Sequence, residues 1–167
     1  MYLFYIILLI IIIQRLTELV IAKRNEKWLR EHGAVEYGQD HYKYIVILHT
    51  MFFVSMLIEY NFMERHSEFS VINYLFLVIF LLMQIMRIWV LISLGKYWNT
   101  KILRIPGSVL ISKGPYRYFK HPNYIIVVCE IFVIPMIFDL YYTALIFSVL
   151  NAVMLKVRIK EENKVLI

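Results

Sequence analysis

His121-Pro122-Asn123-Tyr124 brings a titratable ring, a helix-starting proline, an amide and a phenol together directly before a long apolar run. Proline in the first turn of a helix needs no amide partner and presets φ. The N–H groups left free there attract anionic groups such as a carboxylate. The same four residues also describe an ordinary helix start with interfacial aromatics, so the turn alone leaves both readings open. Further on, Arg158 and Glu162 stand four apart, on one face of a helix. They read either as a surface ion pair or as an arginine that clamps an anionic oxygen beside a carboxylate that binds an ammonium group. Glu130 lies about eight residues into the apolar helix after the turn, on the order of 12 Å deep. A carboxylate inside a membrane is costly and is a functional candidate by default. Gln84 and Arg87 are possible partners for it, and a structural contact between helices is the alternative. Arg15 and Glu18 read as a snorkelled or locally paired couple, His49 as an interhelical hydrogen bonder, and Tyr60, Tyr141 and Tyr142 as outer-face aromatic anchors.

These groups need elements to position them, and composition limits the choice. The chain has 167 residues, 61% of them hydrophobic, with a mean hydropathy of +0.67. A single domain of this length has too little interior to hide so much apolar surface from water, so lipid is the solvent for much of it. The runs are continuous rather than alternating, and helices or closed barrels are the structures that span lipid. Helices are therefore predicted over about residues 2–22, 43–62, 71–94, 122–137 and 140–157. Pro135 and Asp139 split the last apolar region into a tight hairpin. The fold class is all-α, a polytopic membrane protein of about five transmembrane helices. It is one domain: three N-terminal helices over 1–94, then a loop, hairpin and tail over 95–167.

Basic residues concentrate in 23–43, in 95–121 and in the tail, against only Arg65 in 63–70. The positive-inside rule then places the N-terminus outside, and the two basic loops and the C-terminus in the cytoplasm. The net charge of +6 fits this and anionic headgroups rather than nucleic acid, for which no compact basic aromatic module is present. No cleavable signal peptide is visible. The single cysteine, Cys129, leaves no intrachain disulfide and no cysteine zinc motif. There is no Gly-x-Gly-x-x-Gly turn, Walker loop or His-Glu-x-x-His helix, and no metal is expected. The 95–121 loop carries Trp98, Ile102, Leu103, Ile105, Val109, Leu110 and Ile111. It is too apolar to be disordered and is expected to fold against the helices and line a site.

Leu94-Gly95 with Trp98, Pro106-Gly107, Gly114-Pro115-Tyr116-Arg117, His121-Pro122-Asn123-Tyr124, Glu130 and Arg158…Glu161-Glu162, in that order, resemble the isoprenylcysteine carboxyl methyltransferase family over roughly residues 90–167. The resemblance implies an integral membrane enzyme that uses S-adenosylmethionine (S-adenosyl-L-methionine) bound on the cytosolic side. Carried over residue by residue, the cofactor set is Lys101, Ser108, Val109, Leu110, Ile111, Tyr116, His121, Pro122, Asn123, Tyr124 and Glu162. Arg158 and Glu162 are the catalytic pair, and Arg158 and Glu130 meet the substrate. The chain departs from the eukaryotic enzymes at Ser108, where they have His, at Lys120, where they have Arg, and at Ile126, where a Gly is common.

These departures resemble a bacterial branch, the alkylpyrone O-methyltransferases. They imply a lipophilic small-molecule acceptor entering from the bilayer, and a type III polyketide synthase as a pathway partner. The reaction implied is O-methylation of a carboxylate or acidic hydroxyl, prenylcysteine-like or alkylpyrone-like, at a bacterial cell membrane. A proton-coupled transporter built on Glu130 and an NADPH-dependent membrane reductase are the competing classes.

Overall fold

The computed structural model describes residues 2–62 and 69–165. Arg65, on which the topology argument leaned, lies outside the described residues. The elements run α1 (Tyr2–Glu31), β1 (Val35–Tyr37), α2 (Gln39–Phe62), α3 (Val71–Leu94), β2 (Ile102–Arg104), α4 (Pro122–Met136) and α5 (Tyr141–Asn163). Single 3-10 turns lie at Gly95–Tyr97 and Gly114–Arg117. Four of the helices are long and apolar enough to cross a membrane, and α4 is a shorter apolar helix. This is an all-α polytopic membrane protein, as expected, with a small antiparallel strand pair added. The outward faces of α1, α3 and α5 are rows of exposed Leu, Ile and Val, as a lipid-facing bundle requires.

Three helix bounds differ from expectation, the first being α2, which starts at Gln39 rather than about residue 43. α1 does not stop at residue 22 but continues through the basic segment to Glu31. Good helix formers and the Glu26–Arg30 pair, four residues apart, support the extra turns. α5 likewise runs past 157 to Asn163, so Arg158 and Glu162 lie on one face of a helix, as their spacing implied, and that helix is α5 itself.

Two polar residues secure the turn of the α4–α5 hairpin. Pro135 sits in the last turn of α4, and Asp139 reverses the chain at φ +56. Asn73 on α3 donates to the Ile137 carbonyl and to Asp139, both at 3.2 Å, tying the turn down. Leu140, at the start of α5, offers no capping side chain. Glu59 on α2 supplies one instead, accepting from the amides of Tyr142 at 3.1 Å and Thr143 at 2.7 Å and satisfying donors that lipid could not. Beside it, Ser55 and Thr143 share a 2.8 Å hydrogen bond. Tyr141 and Tyr142 are half-exposed at this end, but Tyr60 is not an interfacial anchor. It is buried and stacked on Phe4 at 3.8 Å.

The bundle is pinned at mid-height by buried charge. Glu130 on α4 accepts from Arg87 Nε at 3.0 Å and Gln84 Nε2 at 2.9 Å on α3, and is bridged by Arg87 Nη2 and by Arg15 of α1. Glu18 completes the set, 2.8 Å from Arg15 and 3.4 Å from Arg87. Arg15 and Glu18 are thus more than a local couple. Two arginines and two glutamates from three helices balance one another.

Removing one member leaves buried charge uncompensated. Glu130→Ala is therefore expected to destabilise the bundle by about 3–5 kcal/mol, read as a lower unfolding midpoint in detergent. A midpoint equal to that of the parent protein would show that the network does not hold the helices.

Candidate functional site

The loops at the end of the bundle where α4 starts and α5 ends fold onto the helices as a fixed cap. β1 pairs antiparallel with β2, Val35 opposite Arg104 and Tyr37 opposite Ile102. Asn25 of α1 donates to the carbonyls of Gly95 at 3.1 Å and Trp98 at 2.7 Å, and Asn99 returns a 2.9 Å bond to Ala22. The Gly114–Arg117 turn lies so close to α3 that a Cβ on Gly114 would come within 2.1 Å of Ser93 Oγ and 2.9 Å of Trp89 Nε1. Gly114 also has φ +54, so glycine is required there on two counts.

Under this cap lies a cavity of about 390 Å³. Its lining includes Lys101, Ser108, Val109, Leu110, Ile111, Tyr116, His121, Asn123, Tyr124, Arg158 and Glu162, so residues as distant in sequence as Lys101 and Glu162 face one space. Pro122 does not line it. Buried at the first position of α4, it sets the direction of the helix that carries Asn123 and Tyr124. Glu130 lines neither this cavity nor the second one described below, because its carboxylate is turned into the ion network. Lys101 borders the cavity, but its ammonium bonds Glu26 at 2.9 Å and Glu36 at 3.5 Å, and the Glu26 hydrogen bond raises its pKa above the ordinary lysine value. Burial, with Glu162 nearby, pushes the Tyr116 phenol well above its usual pKa, so it stays protonated and can donate.

One hydrogen-bonded chain organises the floor. Arg158 donates through Nε to the Tyr124 hydroxyl at 2.8 Å and through Nη2 to the Thr100 carbonyl at 2.5 Å. Tyr124 in turn donates to Glu162. His121 stacks on Tyr124 with ring centroids 5.3 Å apart, and its nitrogens lie 3.3 Å from Glu162 and 3.2 Å from Asn163. The Glu pair is divided: Glu162 faces the cavity, while Glu161 binds Lys164 at 2.7 Å. Arg158 and Glu162 are connected through the phenol and form no direct ion pair among the described residues. Arg15 and Arg87 sit against carboxylates, whereas among the described residues the guanidinium of Arg158 bonds neutral oxygens alone and is available to an anion.

A second cavity of about 460 Å³ runs between α1, α2 and α5. Ile12, Leu16, Leu19, Val46, Phe53, Val54 and Leu57 give it apolar walls. Leu16, Leu19, Val46 and Val54 are also exposed on the lipid-facing surface, so the cavity borders lipid on both its α1 and α2 sides. Trp98, Asn99, Asn123, Tyr124 and Arg158 line both cavities.

Sequence reasoning did not anticipate Thr100, whose carbonyl orients Arg158, or Tyr42, which bonds the Thr100 hydroxyl at 3.1 Å. A main-chain acceptor leaves no mark in the sequence. Tyr42 could have been read from its place at the start of an apolar helix. His49 is not an interhelical bonder: its Nδ1 bonds Ile45 of its own helix at 2.8 Å, and its ring borders the second cavity.

A family model described as the isoprenylcysteine carboxyl methyltransferase (ICMT) family matches residues 75–167. The uncharacterized protein YpbQ of Bacillus subtilis is 43% identical over 163 residues, spanning 98% of this chain and 96% of its own. An uncharacterized protein of Haemophilus influenzae is 29% identical over 150 residues, spanning 89% of this chain and 86% of its own. No solved structure matches.

The tight seat of Gly114 gives a direct test of the cap. Gly114→Ala adds left-handed strain of about 1–2 kcal/mol and a clash with Ser93. Amides in 108–120 should exchange with deuterium about tenfold faster, while those of α4 and α5 stay protected. Unchanged exchange would show that the turn does not depend on this contact.

Proposed function

The chain belongs to the isoprenylcysteine carboxyl methyltransferase family, and from that premise we propose that it transfers a methyl group from S-adenosylmethionine to a carboxylate or acidic hydroxyl of a lipophilic acceptor. Membership and the apolar helices together make it a multi-pass membrane methyltransferase. The observation that carries the finer reading is the shared wall. A polar cavity under the cap and an apolar cavity bordering lipid meet at Asn123, Tyr124 and Arg158, so a polar donor and a greasy acceptor can approach from different solvents and meet at one point.

The residues under the cap fit the donor. Asn123 Oδ1 is buried without a hydrogen-bond partner, an acceptor that an ammonium or ribose hydroxyl would satisfy. Val109 to Ile111 make no backbone hydrogen bonds among the described residues and offer free main-chain groups along the cavity. Glu162 would hold the donor's ammonium, and the α4 start at Pro122 its carboxylate. His121, Tyr116, Ser108 and Lys101 would complete the enclosure. S-adenosylmethionine supplies an electrophilic methyl on a sulfonium.

An acceptor already ionised at neutral pH needs no general base, so the protein's task is alignment and exclusion of water. Arg158 would hold the acceptor anion at the wall, with Tyr124 and Thr100 fixing its guanidinium. Methylation removes the acceptor's charge, so Arg158 loses its hold and the product returns to lipid. The tail would enter sideways between α1 and α2. The basic loops support a cytoplasmic site and C-terminus with the N-terminus outside. Prenylcysteine-like and alkylpyrone-like acids both fit the acceptor class, the latter with a type III polyketide synthase upstream.

Calorimetric titration of S-adenosylmethionine into the detergent-solubilised protein tests this reading. Saturable binding is expected. Glu162→Gln should weaken it about tenfold or more, the worth of a charge-assisted hydrogen bond, while Glu161→Gln leaves it unchanged. Arg158→Ala should keep affinity within about threefold yet lose transfer of labelled methyl to lipid extracts by about a hundredfold or more. A folded parent protein that binds no donor, or an Arg158→Ala variant with full turnover, would overturn the assignment.

A further inference from the structure

We propose that the acceptor carries a second hydrogen-bonding group, a hydroxyl in its chain about 10 Å from the methylated oxygen, and that His49 and Asn151 bind it. The inference rests on the methyl-transfer reading for the position of the acceptor's acidic end, at Arg158. A plain hydrocarbon tail would be best served by a wholly apolar channel, and the second cavity is not one.

Asn151 lies in the apolar stretch of α5, is only 3% exposed and lines the cavity. Among the described residues its amide has no hydrogen-bond partner. His49, on the facing helix, bonds the Ile45 carbonyl through Nδ1 at 2.8 Å. A carbonyl can only accept, so the Nδ1 of the neutral ring carries the proton and Nε2 is left as an acceptor. Nε2 too lacks a partner among the described residues.

The helix register brings the two groups together. α2 and α5 run antiparallel, Ser55 meeting Thr143 at 2.8 Å toward one end and Tyr42 reaching Arg158 through Thr100 toward the other. Six residues back along α2 from Ser55 is His49, and eight residues on along α5 from Thr143 is Asn151. At 1.5 Å per residue the two stand at one level to within about 3 Å. Asn151 precedes Arg158 by two helical turns, again about 10 Å.

Of the other polar residues on this cavity, Asn123 and Arg158 belong to the wall shared with the capped cavity, and the rest are engaged within the protein. Arg15, Glu18 and Arg87 neutralise one another and Glu130, and Tyr42 bonds Thr100. Among the described residues, His49 Nε2 and the Asn151 amide face the groove with no hydrogen-bond partner. A hydroxyl that donates to His49 Nε2 and exchanges a hydrogen bond with the Asn151 amide uses both groups.

The test compares hexadecanoic acid with a hexadecanoic acid hydroxylated near mid-chain. Dissociation constants are measured in detergent by tryptophan fluorescence, Trp98 being part of the groove wall, and labelled-methyl transfer from S-adenosylmethionine is followed in parallel. The parent protein should bind the hydroxy acid about tenfold more tightly, the worth of one to two buried hydrogen bonds. Asn151→Leu and His49→Leu should each reduce that preference, and together abolish it, while binding of the plain acid is kept or strengthened. His49→Gln, which retains an acceptor, should restore part of it. Equal binding of the two acids by the parent protein, binding of neither, or a preference that survives in the double variant would overturn the inference. Selective binding without methyl transfer would support it and overturn the methyl-transfer reading instead.

Discussion

Charge inside lipid has to be matched where it stands, and the Arg15–Glu18–Arg87–Glu130 network is where this constraint shapes the bundle. A lone carboxylate on α4 would be prohibitive in hydrocarbon. Held by Arg87, Gln84 and Arg15, it becomes a fixed point joining α1, α3 and α4. Because α4 is a rigid helix, fixing Glu130 also fixes Tyr124, six residues or about 9 Å nearer the loops. Tyr124 is the hub on which Arg158 and Glu162 converge. The candidate site is therefore positioned from below by a buried charge network.

From above it is positioned by main-chain contacts. The strand pair, the Asn25 and Asn99 bonds to the 95–99 segment, and the seat of Gly114 on α3 hold the cap as a rigid wall. This separates two environments. The capped cavity keeps polar groups, among them Tyr116, Asn123 and Glu162, and the groove between α1 and α2 keeps an apolar face toward lipid. Only Trp98, Asn99, Asn123, Tyr124 and Arg158 belong to both, and Asn123 and Tyr124 come from the first turn of α4, where proline directs the chain.

The helices were legible because lipid permits few alternatives to a helix for a long apolar run. Their ends were less so. Hydropathy marks where the apolar run ends rather than where the helix does, so α1 and α5 both run on through charged turns that the profile counts as loop. The His121–Tyr124 turn and the Arg158–Glu162 spacing placed one end of the site from residue type and helical period alone. The family resemblance supplied Ser108 to Ile111, which have no chemistry of their own to announce them. Thr100, acting through its carbonyl, was beyond reach of any residue-type argument. Asn151 was passed over because one amide barely changes the hydropathy of its helix, although its place two turns before Arg158 was there to be noticed.

Three buried or partly buried arginines show how the same side chain is put to different uses. Arg15 and Arg87 face carboxylates and are electrically finished, and the bundle would gain nothing from a further anion beside them. Arg158 faces a phenol and a carbonyl, which orient its guanidinium without cancelling its charge. Glu162, four residues on, is kept one link away by the intervening Tyr124 hydroxyl. A direct Arg158–Glu162 pair was available at this helical spacing, and forming it would have spent the positive charge. Interposing a phenol leaves the carboxylate turned toward the capped cavity and the cation at the wall of the lipid-bordering one. Under the proposed reaction, an ammonium and an anionic oxygen would be held at the same time at the two ends of this relay, the charge separation that a zwitterionic donor and an acidic acceptor demand.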